Sequence, residues 1–337
     1  MILSYRRVLS ISLGLSLILA LVSLLALSIG SAKIPAREIL HTIGTRLFNA
    51  ENPLSREYES ILFDIRLPRV FLAMSVGMAL SVAGASFQAL LRNPLADPHV
   101  LGVSSGAALG AMLSIVLGIQ YTVGTPLASF IGALVTITVV YFLGTHGHHS
   151  STHTLLLAGI ITSSFLSAII IFLQTYLSGR QLQQITFWLL GDFSSIDVPH
   201  LRLIFAAILV CIILILFRSG DLNVLISGEL EAEHLGVNVR WLKRSVYLLA
   251  ALLTGLAVSV SGSIGYIGLL VPHIVRMMFG TDYRLLLPAS ALAGASFAVL
   301  ADVLARTLLA PAELPVGAIT ALTGAPMFIY LLRKGRS

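Results

Sequence analysis

Two long apolar runs, roughly 64–91 and 100–118, are joined by the stretch Arg92-Asn93-Pro94-Leu95-Ala96-Asp97-Pro98-His99-Val100-Leu101-Gly102-Val103-Ser104-Ser105-Gly106-Ala107. Pro94 and Pro98 each remove a backbone donor and disfavour helical backbone at the preceding residue, so the stretch cannot be helical throughout. At the edge of a lipid bilayer, such irregular backbone persists only where protein or water satisfies its polar groups. The stretch therefore predicts a lined passage between two membrane spans.

The composition of the whole chain is that of a membrane protein. Hydrophobic residues make up 57% of the 337 residues, charged residues make up 11%, and the mean hydropathy is +0.95. Soluble domains carry about 25% charged residues, so this chain lacks the polar surface that water requires. Since a span needs about 20 apolar residues, we predict an all-α integral membrane protein of about ten spans, with 1–337 as a single transmembrane domain. The predicted spans lie near 8–30, 64–91, 98–118, 122–144, 153–178, 198–217, 243–263, 265–280, 285–306 and 314–332.

The first predicted span also has features of a secretory signal, because Arg6 and Arg7 precede its apolar run. That run is about 22 residues long, whereas the core of a signal peptide has about 7–15, so we interpret it as a retained span. An even number of spans puts both termini on one side of the membrane. We place them in the cytoplasm, where Lys and Arg are then in slight excess.

Charge and cysteine content argue against a nucleic-acid partner and against structures built from cysteine. The net charge of +6 comes from cations that flank the spans singly, as membrane topology alone would place them, so we expect no nucleic-acid partner. The single cysteine, Cys211, lies inside a span. It excludes an intrachain disulfide framework and a cysteine-based zinc site.

An internal repeat relates the two halves of the chain. The segments Gly77-Met78-Ala79-Leu80-Ser81-Val82-Ala83-Gly84 and Gly255-Leu256-Ala257-Val258-Ser259-Val260-Ser261-Gly262 share Gly, Ala, Ser, Val and Gly at matching places. A Pro-His pair follows each segment, at Pro98-His99 and Pro272-His273. Because the second span runs inwards and the seventh outwards, we predict an inverted repeat with halves at about 64–178 and 243–332, as in many transporters.

Small residues within the spans predict close contacts between helices. We interpret Gly77, Gly84, Gly132 and Gly294 in this way. The run Gly262-Ser263-Ile264-Gly265-Tyr266-Ile267-Gly268 differs, because the apolar stretch 245–279 is too long for one span and short for two. We expect a tight turn at these glycines and then a half-helix that begins near Pro272, since transporters line their passage with discontinuous helices.

One cytoplasmic loop, about 219–240, has a helical pattern of its own. The residues that share a helical face are Leu222, Leu225 and Ile226 in a first short helix, and Leu230 and His234 in a second. Gly228 separates the two helices and Gly236 is placed as a cap. The second helix is acidic, starting at Glu229, so anionic lipid would repel it. We therefore expect this segment to pack against a protein partner on the cytoplasmic side.

The chemistry of ATP binding and of ion-driven transport is poorly represented. The lysines (Lys33, Lys243 and Lys334) all lie outside any G-x-x-x-x-G-K-[ST] phosphate loop, so we expect no cofactor in this chain. Asp302 and Arg306 are the main ionisable residues inside spans, and their spacing of four predicts an ion pair on one helix face. Ion-driven carriers normally need buried carboxylates, which disfavours an ion-coupled secondary transporter of inverted-repeat architecture but leaves it open as the alternative function.

The histidines between the fourth and fifth spans form a metal-like cluster: His146, His148, His149 and His153. Clustered histidines can bind metal, yet neither a carboxylate nor a thiol joins them. We interpret the cluster as a solvated loop and predict no metal site. A membrane enzyme has no acid–base or metal constellation in its favour.

Long motifs spread over about 60–335 carry a family resemblance. In the first half they are Arg66-Leu67-Pro68-Arg69, Gln88-Ala89-Leu90-Leu91-Arg92-Asn93-Pro94-Leu95-Ala96-Asp97-Pro98, Leu101-Gly102-Val103-Ser104-Ser105-Gly106-Ala107 and Trp188-Leu189-Leu190-Gly191. In the second half they are Gly265-Tyr266-Ile267-Gly268-Leu269-Leu270-Val271-Pro272-His273-Ile274-Val275-Arg276, Leu285-Leu286-Leu287-Pro288, Ala301-Asp302-Val303-Leu304-Ala305-Arg306 and Glu313-Leu314-Pro315-Val316-Gly317. The chain thereby resembles the FecCD/BtuC-type permeases, which import iron chelates, haem and cobalamin.

The resemblance implies the permease of a type II ATP-binding-cassette (ABC) importer, which works by alternating access at a homodimer interface. The implied partners are a second copy of the chain, two separate ATPase subunits that use ATP and Mg, a periplasmic or lipid-anchored substrate-binding protein, and the lipid of the cell inner membrane. The chain itself would be a transport subunit and not an enzyme. We expect an iron-siderophore as the metal chelate carried, with haem and cobalamin as alternatives.

The resemblance also implies roles for individual residues. The positions that pair with acidic residues of a binding protein are Arg66, Arg69 and Arg306. The positions that couple to the ATPase are Gly228, Glu229, Ala232, Leu235, Gly236 and Val237. The cytoplasmic gate is assigned to Asn93, Leu95, Ser151 and Thr152, and the translocation path to Gly106, Gly262 and Gly265 together with the fifth span. The His-rich loop departs from many relatives, in which arginines are common there.

Overall fold

The computed structural model of the chain describes residues 4–30, 34–47, 56–119, 124–146, 149–150, 152–194 and 198–334. Within these residues the regular secondary structure is helical apart from one short antiparallel ladder, in which β1 (Thr145–His146) pairs with β2 (His149–Ser150). The ladder lies in the His-rich loop. His148 and the predicted gate residue Ser151 lie outside the described residues.

The first half of the chain forms the helices α1 (Tyr5–Ser28), α2 (Ala36–Leu47), α3 (Arg56–Ser60), α4 (Leu67–Leu90), α5 (Val103–Val116), α6 (Gly124–Gly144), α7 (Thr152–Gln174) and α8 (Gly179–Leu190). A π-helical turn, Ile61–Arg66, joins α3 to α4, and a 3-10 turn, Pro98–Leu101, precedes α5. The second half forms α9 (Val198–Leu216), α10 (Ser219–Ser227), α11 (Glu229–His234), α12 (Val239–Ser261), α13 (Ile267–Phe279), α14 (Tyr283–Thr307) and α15 (Val316–Lys334).

Each predicted span has a helix at its place. Among the described residues, the helices long and apolar enough to cross a membrane alone are Tyr5–Ser28, Tyr58–Leu90, Gly124–Gly144, Thr154–Gln174, Val239–Ser261 and Tyr283–Thr307. α9 passes the same test together with α10, to which it is bent by 52°. α5, α13 and α15 are shorter apolar helices. α5 and α13 are short because irregular backbone before each of them takes up the start of the predicted span.

α4 lies at the centre of the fold. In an 18-residue apolar stretch of the continuous helix Tyr58–Leu90, which contains α4, 89% of the residues are buried. In the corresponding stretch of α1, 6% are buried. α4 packs against α9, α12, α13 and α14, and a helix that is apolar around its whole circumference suits such a position. α1 lies at the rim against α14. Its exposed leucines are suited to face lipid.

Small residues allow α4 to approach its neighbours closely. A Cβ atom at Gly77 would collide with the carbonyl group of Gly294 in α14, and one at Gly84 would collide with the carbonyl group of Gly268 in α13. Gly132 of α6 is in the same relation to Gly106 of α5. The predicted packing role of Gly77, Gly84, Gly132 and Gly294 is therefore confirmed.

The helix pairing is the one that the inverted repeat requires. α4 packs on α14, and α12 packs on α6. In the predicted repeat, α4 corresponds to α12 and α6 corresponds to α14. Exchanging the two halves of the repeat therefore turns the α4–α14 contact into the α12–α6 contact.

The break before α13 differs from its prediction in one respect. The backbone is non-helical from Gly262 to Tyr266, but α13 begins at Ile267, and Pro272 lies inside the helix and not near its start. The missing N–H of Pro272 leaves the carbonyl group of Gly268 without its usual helical donor. The side-chain amide of Gln88 in α4 lies 3.4 Å from that oxygen. A neighbouring helix therefore offers a substitute donor, which explains how the proline is tolerated.

Candidate functional site

α10 and α11 form the segment that the sequence predicted to bind a partner. Leu222 and Leu225 of α10 are fully buried, whereas Leu230 is 69% exposed and Leu235 is 72% exposed around α11. Gly228 connects the two helices at a φ of +150°, a backbone conformation that residues with a side chain rarely adopt. α11 is thus presented outwards on a buried base. Leu230, which the sequence placed on one face of this helix with His234, is therefore an exposed apolar side chain.

The remaining predicted coupling residues close the end of α11. Ala232 is fully buried, and its carbonyl oxygen accepts a hydrogen bond of 2.9 Å from the N–H of Val237. Gly236 has a φ of +85°, and its N–H donates to the carbonyl oxygen of Glu233 at 3.0 Å. Gly236 is therefore the cap that the sequence predicted. Ala232 belongs to the base of the segment and not to its outer surface.

A side-chain contact that the sequence reasoning missed fixes α10 to the start of α14. Asn223 donates to a carboxylate oxygen of Asp282 at 2.7 Å and accepts from the N–H of Tyr283 at 2.8 Å. Hydrogen bonds from the Arg284 guanidinium and the Asn223 amide lower the pKa of Asp282 to about 2. The sequence held one local signal for Asp282, because an Asp directly before an apolar helix is a typical N-cap. It held no comparable signal for Asn223.

Glu229 connects α11 to two further parts of the chain. Its Oε1 atom lies 2.6 Å from Lys243 Nζ in α12 and 3.7 Å from Arg92 Nη2 at the end of α4. The sequence alone indicated no partner for Arg92 or Lys243. The structure brings both to the first residue of the predicted coupling helix.

The predicted cytoplasmic gate is described in part. Asn93 accepts a hydrogen bond of 2.9 Å from the N–H of Leu95, and the side chain of Leu95 is 47% exposed. Thr152 is the first residue of α7. The assignment of these residues to a gate stays a prediction.

The two irregular segments predicted to line a passage meet each other. His99 Nε2 lies 2.8 Å from the carbonyl oxygen of Ile264, and His99 Nδ1 is hydrogen-bonded to the hydroxyl group of Ser104. The residues after α8 also contact this region, since the N–H of Asp192 donates to the carbonyl oxygen of Ser261 at 2.8 Å. The break before α5 and the break before α13 therefore form one connected region.

The predicted path glycines have different surroundings. A Cβ atom at Gly106 would collide with Thr136 and the carbonyl group of Gly132, and one at Gly262 would collide with the carbonyl group of Trp188. These two glycines pack closely within the chain, and their assignment to the translocation path stays a prediction. A Cβ atom at Gly265 would meet nothing within 4 Å. Its position fits the surface of a passage.

Arg66, Arg69 and Arg306 form one cluster with Asp302 and Glu313. Arg69 Nε lies 2.8 Å from Asp302 Oδ1, and Arg69 Nη1 lies 2.9 Å from Glu313 Oε2. Arg306 Nε lies 3.4 Å from Asp302 Oδ2, so the ion pair predicted on this helix face is confirmed. The side chain of Asp302 is 1% exposed, while that of Glu313 is 47% exposed.

The same cluster holds the end of α1. Arg66 donates to the carbonyl oxygen of Leu27 at 2.6 Å, and Arg306 donates to those of Ile29, at 3.0 Å, and Ala26. Cations at a helix C-terminus are stabilised by the helix dipole. The resemblance implies that these arginines pair with a binding protein, and within the chain Arg66 is 4% exposed and bonds to the end of α1. Their role in docking stays a prediction.

The described residues contain no group of three or more His, Cys, Asp or Glu side chains that could hold a metal ion. The side chains of the predicted histidine cluster fall outside that description. The chemistry of the described site is therefore that of helix ends, ion pairs and exposed apolar side chains.

Comparison with known proteins identifies the family. The family model of the FecCD transport family matches residues 18–334. YvrB, an uncharacterized ABC transporter permease of Bacillus subtilis strain 168, is 45% identical over 332 residues, which cover 95% of this chain and 93% of the relative. The hemin transport system permease HmuU of Yersinia pestis is 46% identical over 282 residues, which cover 82% of this chain and 84% of the relative.

A solved structure agrees with this result. It is described as an inward-facing conformation of a metal-chelate type ABC transporter. Its TM-score is 0.83 at 34% sequence identity, with 97% of this chain and 99% of that chain covered. Fold, motifs and sequence identity therefore agree over nearly the whole chain, which belongs to the FecCD transport family of ABC-importer permeases.

Proposed function

We propose that two copies of this permease form a homodimer that imports a metal chelate, driven by two ATPase subunits bound at α11. The observation that carries the proposal is the contrast within the coupling segment, where Leu230 and Leu235 are exposed although α10 is anchored in the core. A short helix with exposed leucines on a fixed base suits a protein interface, because apolar surface gains free energy when a partner covers it. ATP-driven import fits this arrangement and the family better than an ion-coupled carrier.

The proposed orientation places α11 and both termini in the cytoplasm, with the chain in the cell inner membrane. The cluster around Asp302 then lies at the outer end. Arg69 and Arg306 there face the carboxylate of Asp302, and Arg69 also faces the half-exposed carboxylate of Glu313. The family resemblance supports docking of an acidic binding-protein surface at Arg66, Arg69 and Arg306, since complementary charge steers and orients association.

The proposed homodimer would cover α7. The exposed apolar residues along this helix are Leu157, Ile161, Phe165 and Phe172. Within one chain, 22% of the residues in an 18-residue apolar stretch of α7 are buried, far fewer than in the stretch that contains α4. A second copy packed against α7 would make this fifth span the wall of a central passage, together with the region around Gly265.

The proposed substrate is a metal chelate, with an iron-siderophore first and haem or cobalamin as alternatives. The hemin permease of Yersinia pestis and the metal-chelate type transporter support this class, because both are similar to this chain over most of its length. The described part of the predicted passage offers glycine, serine and apolar groups, which provide little chemistry for recognising a ligand. Selectivity among chelates would then reside in the binding protein.

The test is uptake by the reconstituted importer. The chain is reconstituted into liposomes with its ATPase and binding protein, and ATP-dependent uptake of a ferric siderophore, hemin and cobalamin is measured. The proposal predicts uptake of one of these chelates that requires ATP and the binding protein. Uptake of none of them, by a complex that hydrolyses ATP, would contradict the proposed substrate class.

A variant pair tests the docking site of the ATPase. Leu230→Asp combined with Leu235→Asp is expected to prevent co-purification of the ATPase, because charges would replace the apolar contact. Leu308→Asp is the matched control, since Leu308 is 59% exposed and lies at the opposite end beside Arg306. Undiminished ATPase binding by the double variant would contradict the proposed interface.

A further inference from the structure

Glu229 is the one described residue of α11 that forms ion pairs with cations on both α12 and the end of α4. Its carboxylate is 38% exposed and lies close to Lys243 Nζ, at 2.6 Å. The distance to Arg92 Nη2 is longer, at 3.7 Å. One contact is therefore tight and the other loose, so a small displacement of α11 changes the Arg92 contact more than the Lys243 contact.

The backbone at Arg92 is a second and independent observation. α4 ends with a pair of hydrogen bonds, from the N–H of Asn93 to the carbonyl oxygen of Gln88 and from the N–H of Arg92 to that of Ala89, both 3.1 Å. In this type of helix ending the residue at the position of Arg92 adopts left-handed backbone and is usually glycine. Arg92 has a φ of +46°, which is unfavourable for a residue with a Cβ atom. The arginine at this position is thus explained by its side chain and not by its backbone.

The contacts of α10 and α11 determine which part of the chain a displacement of α11 would reach. α10 is fixed to the start of α14 by Asn223, through Asp282 and Tyr283. The free side of α11 is the one that carries the exposed Leu230 and Leu235. A force applied there moves α11 against an anchored base, and the Glu229 carboxylate is the part of α11 that touches the end of α4.

From these observations we infer that Glu229 is a positioning residue that links the coupling helix to the loop 92–95 through Arg92. The inference rests on the proposed function and deepens it, because it names the contact through which ATPase docking reaches the predicted gate. Asn93 and Leu95 follow Arg92 by one and three residues in the chain. A change in the Glu229–Arg92 distance therefore acts on the backbone that carries both of them.

The first test measures substrate moved per ATP hydrolysed by the reconstituted importer. Glu229→Gln and Arg92→Gly are each expected to lower this ratio about three- to fivefold, the effect of losing one partly exposed ion pair. Arg92 is not a predicted coupling position, so Arg92→Gly is also expected to leave ATPase binding and basal hydrolysis unchanged. Arg92→Gly also relieves the unfavourable backbone, so misfolding does not account for a loss. Arg92→Lys retains the charge and is expected to retain most of the coupling.

The matched control is Glu233→Gln, which makes the same chemical change at an exposed residue of the same helix. It is expected to leave the ratio at the value of the unmodified protein. If Glu229 and Arg92 act through one contact, the double variant is no worse than either single variant, since the second change has nothing left to remove. Unchanged coupling in both single variants, or losses that multiply in the double variant, would overturn the inference.

A second readout separates this inference from the proposed function. Hydrogen exchange of the backbone amides of Arg92, Asn93 and Leu95 is measured in the full chain in lipid, without any partner. Glu229→Gln is expected to speed exchange there at least twofold, and Glu233→Gln is expected to leave it unchanged. Equal exchange in the two variants refutes the link even if no transport is found. Faster exchange in Glu229→Gln alone supports it even if the proposed substrate is wrong.

Discussion

The two ends of the molecule use charged side chains in opposite ways. At the proposed outer end, Arg66, Arg69 and Asp302 are almost fully buried, and the arginines bond to Asp302, Glu313 or the end of α1. At the proposed inner end, Arg92 and Glu229 are 43% and 38% exposed and meet across a loose contact. The outer charges are desolvated and held by several bonds each, whereas the inner charges remain in contact with water.

This difference separates charges that hold the fold from charges that can respond to a partner. Breaking a buried ion pair is costly because the remaining charge stays desolvated. An exposed pair contributes about 0–1 kcal/mol, so it can be made and broken at little cost. We therefore expect outer substitutions to act mainly on stability and inner substitutions mainly on coupling.

The largest expected effect is that of Asp302→Asn. The substitution leaves Arg69 and Arg306 buried without their shared carboxylate, which is expected to cost about 3–5 kcal/mol of unfolding free energy. Unfolding in detergent measures the loss. Glu313→Gln is the control in the same cluster, and because Glu313 is 47% exposed we expect about 1 kcal/mol or less. Equal losses in the two variants would remove the distinction between buried and exposed partners.

A smaller effect is expected for Arg306→Gln. The variant loses charge-assisted hydrogen bonds to the carbonyl oxygens of Ile29 and Ala26, which are expected to contribute about 1.5–3 kcal/mol. Hydrogen exchange should show the loss as faster exchange at the end of α1, with α12 unaffected. Uniform acceleration across the molecule would mean that Arg306 supports the whole fold and not the attachment of α1.

The smallest effect is expected at Asp282, on the proposed inner side, and it depends on pH. The folded pKa of about 2 is below the ordinary value, so Asp282 stabilises the fold above its unfolded pKa, and this contribution is lost as the pH falls through 2. Asp282→Asn is expected to lower stability at pH 7 by about 1 kcal/mol or less, and to match the unmodified protein near pH 2. A difference between the two proteins that is constant with pH would contradict this role.

Much of the fold could be predicted from the sequence because its signals are local. Apolar runs predicted the spans, and each has a helix at its place. Gly228 and Gly236 predicted the limits of α11, because glycine at a helix end has a specific backbone role. Gly77, Gly84 and Gly294 predicted close packing, because small residues in lipid have few other structural uses.

The parts that could not be predicted depend on residues far apart in the chain. The spacing of Asp302 and Arg306 predicted their pair, but Arg69 reaches Asp302 from 233 residues away. Pro272 was placed at a helix start because proline suits the first turn, and the sequence did not show that Gln88 would lie beside the freed carbonyl group. Nothing local in the sequence likewise indicated the end of α1 as a partner of Arg66.

The central claim is that transport is powered by an ATPase acting on the segment 219–240, and one measurement tests it most directly. Chelate uptake is measured in liposomes that contain the full importer, with ionophores present to abolish ion gradients, for the unmodified chain and for Gly236→Pro. Proline cannot adopt the φ of +85° found at Gly236, so the end of α11 would be rebuilt. We predict ATP-dependent, vanadate-sensitive uptake that ionophores do not affect and that Gly236→Pro abolishes. Uptake that stops with ionophores, and that persists with vanadate and in Gly236→Pro, would contradict the account.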